Sequence, residues 1–375
     1  MKPIGVFHVF TDDKFFDQVA EYFDSVPNII NFYYFYNRNS NYQFKYIKNK
    51  NVTVVNSWFT YIKLMNDEKV DVVYLQGMSS PYLCLWVNKK KKIVWWCHGI
   101  EIYCAPYFFK PIIPLDLYKP LTKLERRNEL WRNRHLEILL KKMYYLIVVS
   151  FCKKISIRRI DYFSPVLPID YELMKKYFKG FRAKPFMLDA GPGIRKRYEY
   201  KYKTSKGAIL VGNSLTYENN HLDIFEKFNS VQRSVSQKFI VPINYGGGYG
   251  GVEHFKQIVK VSNVLFIDTF LSKEEYFGIL ESVTHAIFGN IRQQAMGNIF
   301  WCLRNGIKVY LYEDSVIYKQ LRRWGYIIFS IDTDLNTSSL NEVLSKSDAY
   351  RNCELSNMRN LRASTVEEEL KRIII

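Results

Sequence analysis

Short apolar runs alternate with helical stretches along almost the whole of this 375-residue chain, and that alternation leaves few folds open to it. In the first half the runs fall at Ile4–Phe10, Ile29–Tyr36, 71–75, 93–97 and 145–149. After residue 205 the rhythm restarts at 208–211, 239–243, 264–268, 286–289, 307–312 and 326–329. Strands separated by helices form mostly parallel sheets, because a parallel partner is reached only through a crossover. Between the halves, Gly191-Pro192-Gly193 leads into the basic run Arg195-Lys196-Arg197-Tyr198-Glu199-Tyr200-Lys201-Tyr202-Lys203, which has no apolar period of its own. We therefore expect an α/β protein of two Rossmann-like domains facing one another across a cleft. The predicted division is 1–190, a basic linker at 191–205, a second domain at 206–345 and a helical tail at 346–375. The length suits two cores of ordinary size.

The strongest local signal lies at 288–306, where a buried strand ends at Gly289 and delivers Arg292, Gln293 and Gln294 to its carboxyl end. Gly297 and Asn298 then open an apolar helix whose unbonded N–H groups and dipole favour an anion. Asn305-Gly306 suits the left-handed cap that closes it. A similar turn occurs earlier, where the strand 208–211 meets Gly212-Asn213-Ser214 before a helix containing His221. In an open parallel sheet ligands collect beyond the carboxyl ends of the strands, so both turns belong on one rim. A glycine at such a turn also serves a tight backbone with no ligand. Arg292 and its two glutamines tilt the balance towards a nucleoside diphosphate.

In the first half, the strand 93–97 runs into His98-Gly99-Ile100-Glu101, which brings an imidazole and a carboxylate to a strand end. Either His98 or Glu101 suits a general base that takes a proton from a sugar hydroxyl. A loop histidine and a solvated helix-start carboxylate are the plainer roles.

The net charge of +18 calls for a partner of opposite sign: nucleic acid, anionic lipid or a phosphorylated substrate. The segment 107–145 is basic and interleaved with rings, and Lys119, Lys123, Arg126, Arg127, Trp131, Arg132 and Arg134 read as a surface for anionic lipid. An amphipathic helix with a solvated basic face accounts for it equally well. No apolar run is long enough to span a bilayer, and the first residues read as a strand rather than a signal peptide, so a cytoplasmic protein is expected.

Other features carry less. Asp332-Thr333-Asp334 matches a short metal-holding pattern but follows the last strand, where a capping turn is the expected role. Gly246-Gly247-Gly248-Tyr249-Gly250-Gly251 lacks a phosphate-loop lysine and reads as a flexible substrate loop. None of the six histidines has a partner at helical spacing, and the six cysteines form no C-x-x-C pair, so neither a metal nor a disulfide is assigned.

Several of these residues together resemble glycosyltransferase family 56, the family of the 4-acetamido-4,6-dideoxy-galactose transferase of enterobacterial common antigen. They are Val211 to Ser214, Val241-Pro242 with Tyr245, the helix around Glu274 to Phe277, Arg292-Gln293-Gln294 with Gly297, and Asn305-Gly306. Trp95, Trp96 and Gly99-Ile100-Glu101-Ile102-Tyr103 extend the likeness, with Glu101 where the family has an aspartate. The glycine run at 246–251 departs from it.

The resemblance implies a GT-B fold and a metal-independent hexosyltransferase, fucosyltransferase-like, without cofactor. It implies a nucleoside-diphosphate sugar donor held by the second domain, Tyr245 included. It implies a polyprenyl-diphosphate-linked saccharide acceptor, met at the inner face of the plasma membrane. The combined expectation is transfer of a fucose-like (acetamido-)deoxyhexose in surface polysaccharide synthesis, with an anionic membrane surface and no nucleic acid as partner. A sugar-nucleotide epimerase and a nucleic-acid-binding Rossmann-like protein are the alternatives.

Overall fold

The computed structural model describes residues 2–10, 16–39, 41–44, 47–48, 51–78, 80–105, 110–132, 151–188, 197–231, 237–259, 261–362 and 365–374. They form two compact units. The first comprises Met1–Pro114, Leu136–Arg195 and Arg362–Ile375, and the second Leu115–His135 and Lys196–Leu361.

The first unit is built on seven parallel strands: β1 Ile4–Phe10, β2 Ile29–Tyr36, β3 Thr53–Val55, β4 Val72–Gln76, β5 Lys92–Cys97, β6 Tyr162–Pro165 and β7 Lys184–Pro185. Their order is β3-β2-β1-β4-β5-β6-β7. Central strands such as β4 are buried at every residue, which only a sheet covered on both faces allows. The chain winds outward one way from β1 to β3 and the other way from β4 to β6. Right-handed crossovers therefore place the helix Phe16–Asp24 on one face. On the opposite face they place the helix Trp58–Met65, the 3-10 turn Pro81–Trp86 and the helix Cys152–Arg159. Packing agrees: Val19 and Phe23 bury against Val6 and Tyr74, whereas the Tyr61 ring meets Phe7 edge-on at 5.4 Å.

The expected strand at 145–149 lies outside the described residues; β5 pairs with β4 on one side and with β6, at 162–165, on the other. Two more strands, β3 and β7, are too short to show an apolar run in sequence.

The second unit has six parallel strands: β8 Ala208–Val211, β9 Phe239–Pro242, β10 Val264–Ile267, β11 Val283–Phe288, β12 Lys308–Leu311 and β13 Phe329–Ser330. Their order, β10-β9-β8-β11-β12-β13, is that of a dinucleotide fold and reverses between β8 and β11.

Two segments sit apart from the sequence division. Residues 115–132 belong to the second unit because the helix Pro120–Arg132 is capped there: Asp223 accepts from the N–H groups of Leu121 and Thr122, each at 2.9 Å. The tail divides. The helix Lys346–Arg362 stays with the second unit, while Val366–Ile374 buries Val366, Leu370 and Ile373 in the core of the first.

The described part of the basic stretch, 197–203, is docked rather than free. Tyr198 N–H donates to Asn357 at 2.7 Å, Tyr200 donates to the Lys346 carbonyl, and Arg304 lies over the Tyr198 ring.

Candidate functional site

The expected anion site assembles where β8 and β11 lie side by side, the one place in this sheet where neighbouring strands feed connections in opposite directions. β8 stops at Gly212, whose φ of +68° only glycine adopts without strain. A Cβ there would stand 2.4 Å from His221 Nε2. Beyond it, Asn213 N–H donates to Asn219 Oδ1, and Asn219 Nδ2 reaches back to Ser214 and Thr216, so the turn is tied from within. β11 stops at Gly289, where a Cβ would meet the Asn219 carbonyl at 2.2 Å. Two glycines thus bring the two strand ends together over one asparagine.

Around this junction, besides the two nitrogens of His221, five buried polar atoms have no hydrogen-bond partner among the described residues: Asn213 Oδ1, Asn290 Oδ1, Arg292 Nε, Gln293 Oε1 and Gln294 Oε1. Buried polar atoms are nearly always paired, so such a concentration marks a site completed by something else. Asn290 is wholly buried and its amide donates to the Glu218 carbonyl at 3.2 Å, which fixes its oxygen as the unpaired end. Arg292, only 6% exposed, is held by its own neighbourhood. It donates to the Gln293 carbonyl at 2.9 Å and stands 3.9 Å from Glu218 Oε1. Gln294 Nε2 donates to Thr216 Oγ1, which links the two strand ends.

The helix Met296–Arg304 follows, with Ala295 in the left-handed region and no side chain capping its first turn. Gly297 is exposed and nothing lies within 4 Å of where its Cβ would be. Asn298 is turned aside to the Tyr276 hydroxyl. Gly306, at φ +67°, closes the helix as expected. The structure therefore brings Gly212, Asn213, Ser214, Arg292, Gln293, Gln294 and the start of the helix at 296 to one rim. Tyr245 lies beside them by backbone, since its carbonyl accepts from Leu215 N–H at 2.7 Å, and its ring is exposed.

Sequence reasoning missed Glu218, Asn219, Asn220 and Asn290. The only trace is the asparagine pair ahead of a helix, a pattern for turns and left-handed backbone, and Asn220 does adopt φ +51°. His221 is wholly buried against Phe255 and Tyr249, and burial holds its imidazole at about 3, so it is a neutral core group.

In the first unit, Glu101 and His98 do stand at the end of β5. Glu101 is 9% exposed and its Oε1 accepts from Met78 N–H at 3.2 Å and His98 N–H at 3.4 Å, clamping the ends of β4 and β5 together. Cys97, Tyr103, Lys153 and Asp170 surround it. Lys153 donates to the Glu101 carbonyl, Tyr103 to Asp170 at 2.5 Å, and burial raises the Cys97 thiol while lowering Lys153. His98 is half-buried, edge-on to Trp96 at 4.6 Å.

Of the basic residues expected to meet lipid, Lys119 pairs with Asp314 at 3.0 Å, Lys123 with Asp116 at 2.9 Å, and Arg126 stacks on Tyr118. With Arg127 they line a pocket of about 670 Å³ in the second unit. The side chains of Trp131 and Arg132, and all of Arg134, lie outside the described residues.

The carboxylates of Asp332 and Asp334 are taken up by the backbone N–H groups of Glu313 and Ser330, the turn role expected of them. The glycine-rich stretch differs from the flexible loop expected. Tyr249, at φ +54°, is fully buried with its ring tilted against Tyr217 at 4.4 Å, which anchors the loop over the rim of β8. All six cysteines are free thiols. No described helix is long and apolar enough to cross a membrane.

No protein family profile matches the chain, and no curated protein does. Solved structures do match over nearly its whole length. They include sucrose-phosphate synthase from Thermosynechococcus elongatus (TM-score 0.58, 8% identity, covering 100% of this chain and 97% of that one). Another is the E. coli trehalose-6-phosphate structure bound with UDP-2-fluoro glucose (0.56, 7%, 98% of each). A third is an alpha-glucosyltransferase in complex with UDP (0.54, 10%, 99% and 98%). With the two parallel-sheet units, these similarities show the GT-B fold.

Proposed function

We propose that this GT-B chain is a glycosyltransferase whose nucleoside-diphosphate sugar donor binds at the β8–β11 junction. The observation that carries this reading is the set of five unpartnered buried polar atoms there, among them a guanidinium nitrogen. A diphosphate requires a cation and N–H donors; sugar and ribose hydroxyls supply the donors that amide oxygens need. On binding, Arg292 exchanges the Gln293 carbonyl and Glu218 for phosphate oxygens, and the uncapped helix start at Met296 adds its dipole. Solved structures of the same fold that hold UDP or a UDP-sugar analogue support the donor class.

In the reaction, the bond between the sugar's anomeric carbon and the donor diphosphate breaks as a bond to the acceptor oxygen forms. The acceptor's proton passes to a general base. His98 and Glu101 are the candidates the sequence offers, and Glu101 Oε1 already accepts from two backbone N–H groups. The nucleoside diphosphate leaves with its charge met by Arg292, so the chemistry proceeds without a metal.

The finer reading rests on the likeness to glycosyltransferase family 56. The transferred group is then a fucose-like (acetamido-)deoxyhexose, and the acceptor a polyprenyl-diphosphate-linked glycan of bacterial surface polysaccharide synthesis at the inner membrane face. The basic pocket lined by Tyr118, Lys119, Lys123, Arg126 and Arg127 suits the acceptor's diphosphate.

A thermal-shift series with UDP, GDP, dTDP and CMP, with and without EDTA, tests the donor reading. One diphosphate should raise the melting temperature independently of metal, and no shift with any of them overturns the assignment.

A further inference from the structure

The outer surface of the helical layer formed by Trp58–Met65, Pro81–Trp86 and Cys152–Arg159 carries five large apolar side chains in water. Phe59 is 85% exposed, Phe151 66%, Trp86 57%, Leu85 45% and Ile155 37%. The three elements are one continuous surface. Ser156 Oγ donates to the Pro81 carbonyl at 2.5 Å and Arg159 to the Asn88 carbonyl at 3.2 Å. Asn66 Nδ2 donates to the Trp86 carbonyl at 2.9 Å, Asn88 N–H donates to Asn66 at 2.7 Å, and the Trp58 and Tyr82 rings lie 5.6 Å apart.

Single exposed apolar residues are ordinary, but several on one sheet face mark a binding surface. Exposed Lys63, Lys89, Lys90, Lys154 and Arg158 flank them, against exposed Asp67 and Glu68. Lysine is depleted where proteins meet proteins, whereas tryptophan, phenylalanine and leucine set among lysines suit the headgroup boundary of an anionic bilayer.

We infer that this layer of the first unit is a membrane-docking face for anionic phospholipid, with Phe59 and Trp86 as its apolar anchors. Lys119, Lys123, Arg126 and Arg127, expected from sequence to meet lipid, are a different surface, in the second unit, where both lysines are paired with aspartates. The inference shares a membrane partner with the proposed function but does not depend on glycosyl transfer.

The test is co-flotation of the full-length protein with phosphatidylcholine vesicles, with and without phosphatidylglycerol. Wild type should float with the anionic vesicles and much less with neutral ones. A Phe59→Ala, Trp86→Ala double variant should lose roughly tenfold or more of that binding, since two exposed anchors are removed. Its melting temperature and its thermal shift with the nucleoside diphosphate should be unchanged, and Trp86→Phe should retain most binding. The inference is overturned if the double variant floats like wild type or if wild type ignores anionic vesicles. It is also overturned if sedimentation shows that the patch holds a second copy of the chain instead. Arg292→Ala in the same assay should float normally while losing its nucleotide shift, so the donor reading and the docking face fail separately.

Discussion

At the residue scale, the chain concentrates its unusual chemistry at two strand ends. Arg292 is buried and charged, donates to the Gln293 carbonyl and stands 3.9 Å from the Glu218 carboxylate, contacts that the proposed diphosphate would take over. Arg292→Ala should lower turnover by roughly tenfold to a thousandfold, read from initial rates of the folded variant with the identified donor. Near-normal rates would remove Arg292 from the donor site. Gly212 makes a different kind of demand. Alanine there is strained by its positive φ and collides with the His221 ring, so Gly212→Ala should cost more than about 2 kcal/mol in denaturant unfolding of the second unit. A neutral outcome would mean that the strand end and the ring can separate without loss.

At the element scale, the helix Pro120–Arg132 owes its place to a cap supplied from another helix. Proline at its first position removes one donor, and Asp223 takes the next two N–H groups with a charge-assisted pair of bonds. Asn220 adds to this by accepting from Lys119 N–H at 2.8 Å and donating to the Leu117 carbonyl at 3.0 Å. Asp223→Ala should cost about 1–2 kcal/mol and loosen the first turn of 120–132 selectively, seen as faster amide exchange there than in the helix His221–Val231. Equal protection in variant and wild type would show that side-chain packing alone holds the helix.

At the scale of the whole molecule, the final helix Val366–Ile374 completes the core of the unit that also holds the beginning of the chain. Leu370 is fully buried, and Leu370→Ala should destabilise the first unit by about 2–5 kcal/mol while the second keeps its nucleotide shift. Loss of both together would show that the units fold as one. Acid should act on both units. His8, His221 and His285 are buried, and desolvation lowers them from 6.5 to about 4, about 3 and about 4. Above pH 6.5 they are neutral folded or unfolded. Below it the unfolded chain takes up protons that the folded chain refuses, so stability falls as pH drops towards 4. Each contributes a slope of up to about 1.4 kcal/mol per pH unit. A melting temperature that holds level from about pH 7 to about pH 5 would contradict this assignment.

Sequence alone determined the two-sheet architecture, because parallel strands buried on both faces must be written as apolar runs, and those of 4–10 and 208–211 fell where such strands lie. It also located the two glycine-terminated strand ends with Arg292, Gln293 and Gln294, since a residue that must follow a strand directly is readable from adjacency. It did not reveal that Asn219 and Asn290 complete that rim, as their roles depend on a glycine whose added Cβ would lie 2.2 Å from a carbonyl some 70 positions away in the chain. Nor did it show that 115–132 joins the second unit and 366–374 the first. Their apolar and polar patterns state only that each helix needs a partner; which one is decided by where Asp223 and the Val6–Tyr74 surface stand in space. Tyr249 shows the same limit. Six residues rich in glycine read as flexible because local sequence records backbone freedom, while the burial of one ring that removes this freedom is a property of the assembled unit.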